Sequence, residues 1–259
     1  MKLSVSIGIL FSLGAASQAQ AMGSSSGGSG SYQAPNSSER LKSLSPQPPK
    51  APSCVRNVSS TIQVRGTFDG SGCLYRWRGR GYPKDCGALR EISENQPKMF
   101  IVRKGGKLRN LQIECSLDGV QLDDNSTIEN VLFRDVEEDM VNLSGSENVT
   151  IRNVTGFFHQ DKAVQINSAN NVNIDGMKLY HGQTGITGSP EGSSAKGTVK
   201  NSKFYNLKTA IRARGKFTWT VSNTTIENAD CAFVEQSGGK VIKGSSVVLK
   251  NVKRERCSE

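Results

Sequence analysis

An aliphatic residue, any residue, then Asn recurs along this chain every 20–28 residues, and no other feature narrows the possible folds as much. The copies are Leu108-Arg109-Asn110, Ile128-Glu129-Asn130, Ile151-Arg152-Asn153, Ile174-Asp175-Gly176, Val199-Lys200-Asn201, Val221-Ser222-Asn223 and Leu249-Lys250-Asn251. Six of the seven end in Asn and one in Gly. Those residues enter the left-handed conformation most readily and so turn a sharp corner. The period fits neither a heptad nor a helical hairpin. It suits one coil of a parallel β-solenoid, in which short strands stack and each coil buries its neighbour's core. It also supplies a ruler: residues at one offset from each phrase stack on one face.

The rest of the chain agrees with an all-β reading. Residues 61–64, 99–102 and 246–249 are short β-branched or apolar runs. Gly and Asn punctuate throughout. Residues 86–91 are the best candidate for a short capping turn or helix, and residues 185–197 read as a surface loop.

Residues 1–21 carry an early Lys2, an apolar run and the ending Ala19-Gln20-Ala21, the pattern of a secretory signal peptide. The apolar run is too short for a permanent membrane span, and none is expected elsewhere. Residues 22–52, rich in Ser, Gly and Pro, read as a disordered linker. Residues 53–259 then form one domain large enough for a core. All six cysteines follow the leader and no CxxC occurs, which favours disulfides over zinc. Sequence proximity favours Cys73 with Cys86 and Cys231 with Cys257. The net charge of +10 calls for an acidic partner. The export signal argues against nucleic acid and for an anionic polysaccharide, bound by a monomer.

The ruler gathers acids on three successive coils. Asp118 lies ten residues after Leu108, Glu138 and Asp139 ten and eleven after Ile128, and Asp161 and Lys162 ten and eleven after Ile151. Adjacent strands run about 4.8 Å apart, so Asp118, Glu138 and Asp139 would bracket one ion. Carboxylate oxygens without His or Cys suit Ca²⁺. The plain alternative is an acidic solvated edge. One coil further the same column holds Thr184 and Thr187, and the next holds Lys208 and Arg212 with Arg214 close behind.

Asn130-Val-Leu-Phe-Arg-Asp-Val-Glu-Glu-Asp139, followed by Asp161-Lys162-Ala-Val-Gln165-Ile-Asn167, resembles polysaccharide lyase family 3, a family of pectate lyases. Ser93-Glu94-Asn95-Gln96, Met99-Phe100-Ile101 and Asp118-Gly119-Val120 resemble its upstream elements in order, and residues 61–70 its opening strand. The resemblance implies a right-handed single-stranded parallel β-helix and calcium-dependent β-elimination of polygalacturonate. It implies Asp118, Glu138 and Asp139 as calcium ligands, Lys162 on the catalytic face and Glu94 as the acid of the upstream element. The chain departs from the family at Thr184-Gly-Ile-Thr187, where a KLYR-like element belongs. The nearest counterpart is Lys208-Thr-Ala-Ile-Arg212, one coil later. Arg103-Lys104 also replaces an acidic pair.

Elimination requires a base for the proton beside the sugar carboxylate. Lys162 is the candidate, because lysine crowded by cations loses its proton more readily. Arg212, which stays charged, suits a substrate clamp together with Lys208 and Arg214. A hydrolase would instead want two carboxylates about the bond. His159 reads as a solvated corner residue. The first reading is an exported pectate lyase acting on polygalacturonate or pectin. The alternatives are a catalytically inactive polysaccharide-binding β-helix and an adhesive surface solenoid.

Overall fold

The computed structural model describes residues 44–79, 96–188 and 195–258. Among them are 21 strands, all paired in parallel. No helix there is long and apolar enough to cross a membrane. The chain winds into a parallel β-helix. In one coil the strand Thr127–Val136 bends at Asn130, whose φ is 54°. Its first half lies on one face of the solenoid and its second half on the next, and Val141–Leu143 forms the third.

The recurring phrase makes the first corner. Leu108, Ile128, Ile151, Ile174, Val199 and Val221 stand in register on consecutive coils. All six are fully buried. Burying each such side chain is worth on the order of 2 kcal/mol. The residue ending every copy has positive φ, from 43° at Asn223 to 74° at Gly176. The asparagine amides bond up the stack, Asn130 to Asn110 at 3.1 Å and Asn153 to Asn130 at 3.2 Å. Gly176 interrupts this ladder, where a Cβ would meet Asn153 Oδ1 at 2.6 Å. Asp175 restores it by accepting from Asn201 at 2.7 Å.

The seventh copy stacks elsewhere. Leu249 pairs with Ile226 on the second face, and Asn251 bonds Asn228 at 3.2 Å. Val221 instead has Lys243 as its first-face neighbour. The 28-residue gap before Leu249 is therefore a change of face rather than a longer coil.

The third face has its own inward column, Phe100, Val120, Val141, Val164, Ile186, Ile211 and Phe233. Each of its members is at most 1% exposed. The loop expected at residues 185–197 is shorter than that. Residues 185–188 end the strand Lys178–Gly188, residues 196–197 open Lys196–Lys200, and residues 189–194 lie outside the described residues.

Cys231 pairs with Cys257 as expected, but Cys73 pairs with Cys54 rather than Cys86. The reason is register: Val55 lies beside Leu74, which sets Cys54 and Cys73 side by side on adjacent strands, 4.9 Å apart at Cα. Cys115 is also disulfide-bonded. The expected leader, residues 22–43 of the expected linker and the capping turn at 86–91 lie outside the described residues. Residues 44–52 touch the coils. Arg134 donates to Pro49 O at 2.6 Å, and the His181 ring meets Pro46 O at 3.1 Å.

Candidate active site

The edge where the third face begins carries a column of charge. Lys98 pairs with Asp118. The register Val120–Val141, continued back two residues, sets Asp118 beside Asp139, and the Gly119 amide bonds Asp139 O at 2.9 Å. The register Val164–Val141 likewise sets Lys162 beside Asp139, whose successor Met140 donates to Lys162 O at 3.1 Å. Four consecutive coils thus read Lys98, Asp118, Asp139, Lys162. Asp139, not Glu138, stands directly beside Asp118. The strand offset returns to 20 at the pair Ser116–Val136 and is 21 at Val120–Val141, so the extra residue enters between Val136 and Val141.

The two acids are buried, each 3% exposed, while Glu138 is half-buried. Lys98 Nζ lies 2.6 Å from Asp118 Oδ2 and donates to Gln96 O at 2.9 Å. Lys162 Nζ bonds the Asp161 carboxylate and stands 3.9 Å from Asp139 Oδ1. That Asp139 oxygen is buried and makes no hydrogen bond. Burial pushes the Asp139 carboxyl up to about 8; the Lys162 ammonium opposes this, and the Asp161, Asp118 and Glu138 carboxylates add to it. A buried carboxyl in that condition is stabilised as its anion by a neighbouring cation. Among the described residues, however, no three Asp, Glu, His or Cys side chains converge at metal-binding distance. Asp118, Glu138 and Asp139 share one edge without forming a closed cage.

The displaced cations fall where the ruler put them. Thr184 follows Lys162 in register and Thr209 follows Thr184, while Gln165, Thr187 and Arg212 form the parallel column three residues along. Arg212 is therefore two strands and three residues from Lys162, roughly 14 Å, further than two strand spacings alone. Lys208, next to Thr209, stands closer to the acidic column, and Arg214 is exposed beyond Arg212. Arg103 and Lys104, which replace an acidic pair, bridge Asp123 at 3.1 Å and Asp124 at 4.0 Å on the next coil. Glu94 lies outside the described residues.

His159 is not a solvated corner residue. Its ring is 1% exposed, Nε2 meets Thr184 O at 3.1 Å, and burial lowers its pKa to about 4. Gly182 makes room for it, since a Cβ there would lie 2.0 Å from the ring. Sequence reasoning also passed over Lys98 and two further buried acids, Asp135 and Glu137. Burial, with Glu137 and Glu114 nearby, pushes Asp135 up to about 8.

The pectate lyase family model matches residues 46–188. The chain is 32% identical over 174 residues to probable pectate lyase E of Aspergillus clavatus, covering 64% of this chain and 65% of that protein. It is 33% identical over 138 residues to probable pectate lyase D of Emericella nidulans, covering 52% and 50%. With pectate lyase E of Emericella nidulans it shares 35% over 126 residues, covering 48% and 47%. The chain spans between about half and just under two-thirds of these relatives' lengths.

Proposed function

The chain belongs to the pectate lyase family, and from that premise we propose that it is a secreted, calcium-dependent lyase cleaving (1→4)-α-D-galacturonan by β-elimination. The observation that carries this reading is the column Lys98–Asp118–Asp139–Lys162, a buried acid pair with a lysine at each end. Asp118, Glu138 and Asp139 are the residues that would hold calcium: their donors are hard oxygens, and one Asp139 oxygen is buried without a hydrogen bond. A calcium ion there supplies charge that neutralises the galacturonate carboxylate and stabilises the negative charge developing beside it.

Lys162 acts as base, taking the proton from the carbon next to the carboxylate. The electron pair left behind forms the new carbon–carbon double bond as the bond to the departing sugar oxygen breaks, and that oxygen leaves with the bond's electrons and takes a proton from water. Lys208, Arg212 and Arg214 bind carboxylates of sugars further along the chain, and Glu94 keeps the role its matching element implies. The leader pattern and the disulfides Cys54–Cys73 and Cys231–Cys257 support export. The names of the relatives support an anionic pectic polysaccharide as substrate.

Thr184 and Thr187, uncharged and in register beside Lys162 and Gln165, favour a second reading, a β-helix that binds the polymer without cleaving it. The experiment is a polygalacturonate assay following absorbance of the unsaturated product, with calcium and with chelator. Product formed only with calcium supports the lyase. Binding without product supports the second reading, and neither binding nor product refutes both.

A further inference from the structure

Asp118 is already engaged on both carboxylate oxygens. Lys98 Nζ sits 2.6 Å from Oδ2, and the Asp139 amide reaches Oδ1 at 3.4 Å. The ion pair is nearly dry, with 20% of the Lys98 side chain and 4% of the Asp118 side chain exposed. The lysine is held at a second point by Gln96 O at 2.9 Å. Calcium–oxygen bonds run about 2.4 Å, so an ion on Asp118 Oδ2 would stand within about 5 Å of the ammonium. A divalent ion and a lysine at that separation, with little water between them, repel strongly. Asp118 therefore cannot serve both at full strength. The same pairing accounts for the open arrangement of the three acids, because it satisfies Asp118 from the side away from Asp139.

We propose that Lys98 is a built-in counter-cation of this edge: it neutralises Asp118 when no metal is bound, must yield when calcium binds, and so sets calcium affinity. The proposal rests on the calcium reading given above and concerns a residue outside the ligand set. Lys162, at the other end of the column, is bonded to Asp161 and stands 3.9 Å from Asp139, so Lys98 is the lysine that faces Asp118 directly. Calcium then enters as a competitor of Lys98.

The test is calcium titration by calorimetry, without substrate, on the full chain and on Lys98→Met. Removing the ammonium should tighten calcium binding on the order of tenfold or more. In chelator the variant should melt below wild type, and saturating calcium should raise its Tm more than it raises wild type's. Lys98→Gln, which keeps a polar side chain without the charge, should show the same direction and serves if Lys98→Met does not fold. Equal or weaker calcium affinity in these variants overturns the proposal and leaves the calcium reading standing. Absence of calcium binding in wild type and variants alike overturns both.

Discussion

Below neutral pH the buried imidazole of His159 should cost this fold stability that a non-titrating side chain would not. The ring is 1% exposed, its Nδ1 has no hydrogen-bond partner, and burial brings its pKa from 6.5 to about 4. Contact with Thr184 O and the Asp161 charge pull the other way, and His181 reinforces the fall. The unfolded chain takes up a proton as pH drops through 6.5, whereas the folded chain resists until about 4. The stabilisation is thus fully present above 6.5 and is lost progressively as pH falls toward 4. At about 1.4 kcal/mol per pH unit, that interval amounts to ~3 kcal/mol. Asp135 and Asp139, both raised to about 8, act in the opposite sense over much of this range, since the folded chain holds their protons longer. The His159 contribution must therefore be read as a difference. Urea unfolding midpoints of wild type and His159→Gln, measured from pH 7 to pH 4, should converge or cross because wild type loses ~3 kcal/mol more. Parallel curves would refute the reasoning and mean that the ring is protonated, or hydrated, in the folded state.

Replacing Asp139 by Ala should weaken calcium binding, measured calorimetrically, and abolish product formation while the circular dichroism of the β-helix persists; unchanged calcium affinity would remove Asp139 from the ligand set. Lys162→Ala should leave polygalacturonate binding largely intact and lower kcat on the order of 10²-fold or more, so a near-normal rate would end its assignment as base. Arg212→Ala should raise KM more than it lowers kcat, because a contact roughly 14 Å from Lys162 is made equally in ground and transition states. A large fall in kcat alone would place Arg212 at the reacting sugar.

The sequence by itself determined the coil. A corner residue must tolerate positive φ, and few residues do, so the repeated Asn and Gly marked a corner at every copy, the first corner in six of the seven. The aliphatic two positions earlier had to be inward, which fixed one core column and the approximate offset of every other face. That reasoning carried as far as Asp118, Asp139, Lys162 and Arg212, because side chains in stacked parallel strands repeat with the coil.

What the tertiary structure decided was register. The local phrase is identical whichever corner it turns, so only the strand pairing shows Leu249 on the second face. The extra residue between Val136 and Val141, which chose Asp139 over Glu138 as the neighbour of Asp118, leaves no local signature that a spacing rule can detect. Lys98 escaped notice for a related reason. Phe68 pairs with Leu108 across a gap of 40 residues, so counting forward from the earlier coil loses its step before reaching Lys98. Stacking is long-range in sequence but only about 4.8 Å in space, and a lysine becomes the partner of a buried aspartate only when the coils close upon one another.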